Sequence, residues 1–278
     1  MLGSEDDVTL DGVASSCRAR RLPFVRLSAD DIVNRLIVSD RLPERGPASI
    51  CWRFDGRTII AERVAGVLNR LAWLPGAAFD GVADEDRDYA FSEWTAYLLF
   101  ALDQFANVVN PPASGGLAGH CGGLASQWLR VTRGLPGLAV PQWHFGTARD
   151  APLSLRVPGI IEQDNPLDVT RWRPAKPAGS GSSVLRYRRP PGRAVTALVL
   201  DSHVWTVADG MAFAPGAALA GAAQGIARLF GLRAARILLF EDIDRLCFAA
   251  AVPGCAMSEA PEAIRSAIAD AYADALFA

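Results

Sequence analysis

The sequence is short of the residues on which common catalytic motifs depend. Lys176 is its only lysine, and its 3 histidines, His120, His144 and His203, lie far apart. Its 5 cysteines form no Cys-x-x-Cys pair and no cluster with histidine, which argues against a zinc site and favours reduced thiols. It contains no Gly-x-Ser-x-Gly elbow, no Walker loop and no Gly-x-Gly-x-x-Gly followed by a helix.

Charge of one sign and long apolar runs are also lacking. The formal net charge is −2, so we expect no broad attraction to nucleic acid or to an anionic membrane surface. No run is long and apolar enough to span a membrane, and the acidic start MLGSEDD does not have the layout of a signal peptide. The sequence therefore predicts a cytoplasmic protein with neither nucleic acid nor membrane as a partner.

The first part of the chain contains alternating strand and helix patterns. An opening strand, an amphipathic helix and a second strand at Pro23–Leu27 predict a βαβ unit, and hence a parallel sheet. Asp55 and Gly56 stand between two apolar runs and predict a two-residue hairpin, because that turn needs positive φ at both positions. Val64–Pro75 predicts a further strand.

The second part of the chain is regular again after a weakly patterned stretch at 151–193. Ala194–Leu200 and His203–Val207 predict a hairpin, and an alanine-rich helix follows. Ala234–Phe240 and Leu246–Ala251 predict two apolar strands joined by an acidic turn, before a closing helix.

The order of these elements resembles the ATP-grasp superfamily, in the branch that has an N-terminal pre-ATP-grasp domain. The resemblance implies an α/β fold, with a mostly parallel N-terminal sheet and flanking helices over residues 1–112. It further implies an α+β ATP-grasp-like part with a reduced lid over residues 113–278, and ATP and Mg²⁺ as cofactors. The segments that carry it are MLGSEDD, SICWRF, GVLNRL, SEWTAYLLFALDQFANVVNPP, LAGHCGGLASQWLRVTRGLPGLAVP, VLRYRRPPGRAVTALVLDSHVW, and GLRAARILLF with FAAAVPG.

The metal site implied by the resemblance departs from the family pattern. The family holds magnesium with a carboxylate on the first of the two apolar strands and a Glu-x-Asn on the second. Here those strand positions hold Leu238 and Phe248–Ala250, which offer no oxygen ligand. The nearest carboxylates, Glu241, Asp242 and Asp244, lie in the turn, where they form either a solvated hairpin tip or a displaced metal site.

The phosphate-binding part implied by the resemblance is reduced as well. The family uses two lysines and a glycine-rich loop, and the corresponding region here has only Lys176, in KPAGSGSS. An ammonium group before a Gly/Ser loop suits phosphate, although the same sequence is typical of a solvent-exposed loop. Arginines nearby are candidates for binding phosphate or carboxylate, or for a solvated basic surface, and those we select are Arg156, Arg188 and Arg193.

Three hypotheses follow. The first is a degenerate ATP-grasp protein that acts as a binding or partner subunit in ATP-dependent ligation or peptide modification. Its partner would be a protein or peptide, in a homo-oligomer or in a complex with an active ligase. The second is an active ATP-dependent carboxylate–amine ligase that uses Lys176 and the acidic turn. The third is an unrelated α/β enzyme that uses His120 or Cys121.

Overall fold

The computed structural model describes residues 1–45, 48–113, 115–146, 160–162, 173–174, 184–243 and 245–278; at 160–162, 173–174 and 184 only the backbone is described. The α-helices of these residues are α1 (Val8–Ala19), α2 (Arg87–Asp103), α3 (Leu124–Gly134), α4 (Ala217–Leu229) and α5 (Glu262–Phe277). The strands are β1 (Ile37–Val38), β2 (Cys51–Phe54), β3 (Arg57–Ile60), β4 (Val67–Leu68), β5 (Val108–Val109), β6 (Trp143–Gly146), β7 (Ile160–Glu162), β8 (Arg173–Pro174), β9 (Val184–Arg188), β10 (Arg193–Leu200), β11 (His203–Ala208), β12 (Met211–Phe213), β13 (Ala234–Asp242) and β14 (Arg245–Pro253).

The chain forms two compact units. The first contains Met1–His120, Gly231–Ala234 and Ala256–Ala278, and the second contains Cys121–Phe230 and Ala235–Cys255. Helix α5 therefore lies in the first unit, whereas the division at residue 112 assigned it to the second domain. That domain boundary stays a prediction.

The first unit has the parallel pairing that the sequence predicts, but the strands predicted before α1 and at Pro23–Leu27 are reduced to isolated bridges at Leu2 and Leu27. Leu2 forms parallel bridges with both Leu27 and Asn69, and β4 pairs with β5 in parallel. Asp7 is the N-cap of helix α1, and its carboxylate accepts hydrogen bonds from the backbone N–H groups of Thr9 (2.8 Å) and Leu10 (3.2 Å). The mixed α/β fold with a parallel N-terminal sheet is thus confirmed.

The antiparallel hairpin of the first unit is also confirmed. Strands β2 and β3 pair with Phe54 opposite Arg57, so Asp55 and Gly56 form the turn, with φ angles of 49° and 72°. These two strands and β1 form a three-stranded sheet in which β3 is an edge.

The prediction of a strand over Val64–Pro75 is wrong except at Val67–Leu68, which form β4. Immediately after β4, the amide of Asn69 donates to the carbonyl of Leu117 at 2.6 Å and accepts from the backbone N–H of Leu71 at 3.0 Å. Because the side chain binds the backbone of its own segment, the chain turns here instead of extending the strand.

The described residues of the second unit form two sheets. One has the strand order β12-β11-β10-β13-β14, and the other has the order β6-β9-β7-β8. The predicted hairpin is confirmed as β10 and β11, with Leu200 paired to His203. Strands β13 and β14 are antiparallel neighbours, as the two apolar runs predict, and β14 is an edge of its sheet.

Candidate functional site

Two residues that replace the expected metal ligands lie directly opposite each other. The register of β13 and β14 pairs Leu238 with Ala250, and an irregularity then pairs Leu239 with Phe248. Leu238 is 1% exposed and Ala250 is fully buried. That these positions lie on neighbouring strands, as the resemblance implies, is confirmed by the register. The resemblance also implies that they face a cleft, whereas both side chains are buried in the hydrophobic core of the second unit.

The donor set at this pair does not fit magnesium. Mg²⁺ demands oxygen ligands in near-octahedral geometry, and neither a leucine nor an alanine side chain carries an oxygen. Phe248 and Ala249, which are also buried, add none. Within the described ranges, no group of three or more His, Cys, Asp or Glu side chains is arranged to hold a metal ion.

The outer edge of β14 is closed by residues from α3 and from the segment after it. Trp128 donates from Nε1 to the carbonyl of Ala249 at 2.7 Å, and the Gln127 amide both donates to and accepts from the backbone of Ala251. Ala139 forms a parallel bridge with Cys247. These bonds give protein partners to backbone N–H and C=O groups along the outer edge of β14, so those groups need no ligand.

Glu241 and Asp242, which the sequence predicts in an acidic turn, are instead the last residues of β13, because they pair with Leu246 and Arg245 of β14. Both have protein partners. Glu241 accepts a hydrogen bond from Arg193 at 2.9 Å, in a salt bridge whose two side chains are partly exposed. Asp242 accepts from the backbone N–H of Ile243 at 2.9 Å. Asp244 lies outside the described residues. Of the predicted metal ligands, the structure therefore gives Glu241 a cationic partner and Asp242 a turn hydrogen bond.

Of the predicted phosphate ligands, Arg188 and Arg193 lie among the described residues. Arg193, besides binding Glu241, lies over the ring of Phe213 with its guanidinium carbon 4.6 Å from the centroid. Arg188 is exposed at the end of β9. Lys176 and Arg156 lie outside the described residues, so their roles stay predictions.

A basic cavity of about 200 Å³ lies beside the end of β9. Arg188, Arg189 and Arg245 contribute its cationic side chains, and Asp242 is the acidic group among the described residues that line it. Arg189 stacks on Phe240, with the guanidinium carbon 5.6 Å from the ring centroid. The remaining wall residues are Ala139, Val140, Pro141, Gln142, Pro190, Pro191 and Cys247.

Sequence reasoning selected Arg188 but missed Arg245 and Phe240 as residues of this cavity. The two lie on β13 and β14, whose apolar pattern predicts core strands. The one signal available in the sequence was the charge of Arg245 directly after the acidic residues Glu241, Asp242 and Asp244. Net positive charge in a small cavity suits a carboxylate or a phosphate group better than a cation.

The thiol proposed as a nucleophile is unsuited to that role. Cys121 is 4% exposed, and burial raises the pKa of its thiol to about 12. The thiolate, which is the nucleophilic form, is therefore scarce near neutral pH. This observation weakens the hypothesis of an enzyme that uses Cys121.

Comparison with solved structures identifies the fold. The macrocyclase MdnC from Microcystis aeruginosa MRC, bound with precursor peptide MdnA, is similar with a TM-score of 0.77 and 14% identity, over 100% of this chain and 98% of that one. The ATP-grasp ligase PsnB, complexed with a phosphomimetic variant of minimal precursor, Mg and ADP, is similar with a TM-score of 0.73 and 20% identity, over 99% and 97% of the two chains. An RiPP-associated ATP-grasp ligase of Chryseobacterium gregarium, in complex with ADP and a leader and core peptide, is similar with a TM-score of 0.71 and 11% identity. The match covers 99% of this chain and 95% of that one.

These likenesses confirm the ATP-grasp fold that the order of elements predicts. At such low identities they establish the fold alone. No protein-family model and no curated sequence matches the chain. None of the helices in the described part of the chain combines the length and apolarity needed to cross a membrane.

Proposed function

We propose that this protein acts in ATP-dependent peptide modification as a peptide-binding or partner subunit, and that it does not itself carry out magnesium-dependent phosphoryl transfer. The observation that carries this proposal is the buried pairing of Leu238 with Ala250. Phosphoryl transfer depends on metal ions that neutralise the developing charge on the phosphates, and this pair supplies no ligand for them.

A peptide partner is supported by the structural neighbours and by charge. The solved structures of MdnC and PsnB contain precursor peptides, and the likeness covers nearly the whole of those chains. The arginines at the cavity, Arg188, Arg189 and Arg245, present a cationic surface that suits the carboxylates of an acidic peptide. A peptide bound there needs no metal ion.

The second candidate function is an active carboxylate–amine ligase. It is favoured by PsnB, whose structure contains Mg and ADP. In this alternative Lys176 and Arg188 would bind phosphate, and ATP and Mg²⁺ would be the cofactors. The metal would be held by Glu241, Asp242 and Asp244, and Glu241 would have to exchange Arg193 for the ion.

Manganese titration tests the two candidates. Mn²⁺ accepts the same oxygen ligands as Mg²⁺, and its paramagnetic resonance signal reports the free ion. We expect the chain, with a non-hydrolysable ATP analogue present, to leave the free Mn²⁺ signal at the level of the analogue alone. Depletion of that signal by the protein, abolished in Glu241→Gln with Asp242→Asn, would instead support the ligase. Glu62→Gln, an exposed carboxylate of the first unit, is the matched control.

A further inference from the structure

The first unit contains a large groove that the proposed function does not use. Its volume is about 1050 Å³, at the upper limit of the range of established ligand pockets. The described residues that line it all belong to the first unit. We call this cavity the first-unit groove, and it is large enough for a whole small molecule and not only for an ion.

The apolar floor of the groove and one of its cationic groups belong to the same face of a hairpin. The register of β2 and β3 pairs Trp52 with Ile59 and Phe54 with Arg57. Because side chains alternate between the two faces of a strand, Arg57 projects from the same face as Trp52 and Ile59. Arg53 projects from the opposite face and does not line the groove. A ligand that covers the floor is therefore within reach of the Arg57 guanidinium group.

The interior of the groove offers few hydrogen-bonding side chains. The polar side chains among its described lining residues are those of Cys17, Arg57, Thr58 and Arg63. Trp52 donates from Nε1 to Oη of Tyr97 at 2.5 Å, so the one polar atom of its side chain is already bonded within the protein. Its ring packs against that of Phe105, with the centroids 5.4 Å apart. Because a polar group buried without a partner costs free energy, we expect the part of a ligand that enters the groove to be hydrocarbon.

The charged side chains of the groove are both cationic. Arg57 and Arg63 are exposed, and no carboxylate is among the described residues that line the groove with them. The ion pairs in the described part of this unit are formed by other arginines, which are Arg20, Arg26, Arg35, Arg70 and Arg87. Arg57 donates from Nη1 to the carbonyl of Phe24 at 3.3 Å, and this neutral acceptor leaves the guanidinium charge uncompensated. Two such charges beside an apolar floor favour a hydrocarbon ligand that carries an anionic group.

We propose that the first-unit groove binds a long-chain fatty acid. Its hydrocarbon chain lies against Trp52, Ile59 and Phe105, and its carboxylate accepts hydrogen bonds from Arg57 and Arg63. A fatty acid has one anionic group and no polar group along its chain, which matches cationic side chains beside an interior with few polar ones. This ligand goes beyond the peptide role proposed above, because the residues that bind it belong to the other unit.

Calorimetric titration of dodecanoate into the full chain, below its critical micelle concentration and at pH 8, tests the proposal. We expect saturable binding of a single molecule per chain. The affinity should rise about fourfold per methylene from octanoate through decanoate to dodecanoate, because each methylene group is removed from water. Dodecyltrimethylammonium, which has the same chain and the opposite charge, is the control ligand and should bind about tenfold more weakly or less.

Arginine variants test the carboxylate site. Arg57→Gln combined with Arg63→Gln should weaken the binding of dodecanoate about tenfold, since charge-assisted hydrogen bonds are lost. The matched control is Arg41→Gln combined with Arg53→Gln, which removes two exposed charges of the same unit outside the groove and should leave the affinity unchanged.

A variant of the apolar wall tests the hydrocarbon part separately. Val64→Phe adds bulk to the lining, so we expect it to weaken dodecanoate by more than octanoate, because a reduced volume excludes the longer chain first. The thermal unfolding midpoint of each variant shows whether the chain remains folded.

Absence of dodecanoate binding, equal binding of the ammonium ligand, or an affinity that does not depend on chain length would overturn the proposal. Insensitivity to the paired arginine variant would overturn it as well. A strong preference for dodecyl phosphate over dodecanoate would contradict it by assigning the groove to a phosphorylated ligand. A dimer that the paired arginine variant dissociates would do so by assigning the groove to a second copy of the chain.

Discussion

Cys121 and Cys247 are buried thiols of the second unit, and their environment makes stability depend on alkaline pH. Burial disfavours the thiolate and raises the pKa of each thiol from 9.0 to about 12. The contribution of the two protonated thiols to the free energy of unfolding is complete below pH 9.0, the pKa of a thiol in the unfolded chain. It is lost as the pH rises toward 12, because the thiols of the unfolded chain ionise first. At pH 10.5 the loss amounts to about 2 kcal/mol per thiol.

Urea unfolding at pH 8 and at pH 10.5 measures this dependence. We expect Cys121→Ala to be destabilised at pH 8, where a cavity is left, and to lose less stability than wild type between the two pH values. Ser126→Ala, which removes no ionisable group from an exposed position of the same unit, is the control and should retain the wild-type slope. An unchanged slope in Cys121→Ala would contradict the burial of that thiol.

Among single residues, the apolar positions were predictable from the sequence, whereas a long-range ion pair was not. Leu238 and Ala250 could be identified because a missing oxygen is visible in the sequence itself. The partner of Glu241 could not, because Arg193 lies 48 residues away and the pairing depends on the register of β10 beside β13. Long-range contacts of this kind are set by the fold and not by local pattern.

At the scale of elements, the connection between β9 and β10 depends on Gly192. Its φ angle is +94°, and a Cβ atom placed on it would lie 2.2 Å from the carbonyl oxygen of Glu241. The glycine thus permits both a backbone conformation that other residues rarely adopt and a close approach to the end of β13. This places the arginines that flank it, Arg189 and Arg193, against the strand that carries Glu241.

Alanine at Gly192 is expected to destabilise the second unit by more than alanine at Gly210. Gly210 has a similar φ of +76° but open space around its Cβ position, so Gly210→Ala measures the conformational cost alone, about 1 kcal/mol. Gly192→Ala adds a backbone clash, and we expect an additional 1–3 kcal/mol, roughly, from the displaced strand end. Urea unfolding of the two variants provides the comparison, and equal losses would contradict the close approach.

Elements with strong local signals were predictable. The Asp55-Gly56 turn fixed the hairpin of β2 and β3, because few residues adopt two successive positive φ angles. Strand β5 ends just before Pro111 and Pro112, which have no N–H to donate to a strand ladder. What the sequence could not indicate is that Asn110 then binds the backbone of Arg233 and Ala234, more than 120 residues later.

At the scale of the whole molecule, the chain has an ATP-grasp fold, while the positions that the family resemblance assigns to metal ligands hold apolar residues. The TM-score of 0.77 with MdnC at 14% identity shows that two chains of largely different sequence have the same fold. The order of the elements could be predicted from the sequence, because the hydrophobic periodicity of strands and helices depends on residue class and not on residue identity. The domain boundary at residue 112 stays a prediction, and α5, at the end of the chain, belongs to the first compact unit.

We propose above that this ATP-grasp fold does not support magnesium-dependent phosphoryl transfer. The direct test is calorimetric titration of ATP into the full chain, once with Mg²⁺ in excess and once with EDTA. We expect magnesium to give no increase in affinity, because Leu238 and Ala250 cannot bind it. Micromolar binding that requires Mg²⁺ and is abolished by Lys176→Ala, with Arg53→Ala as a control of equal charge change, would contradict the claim and support an active ligase.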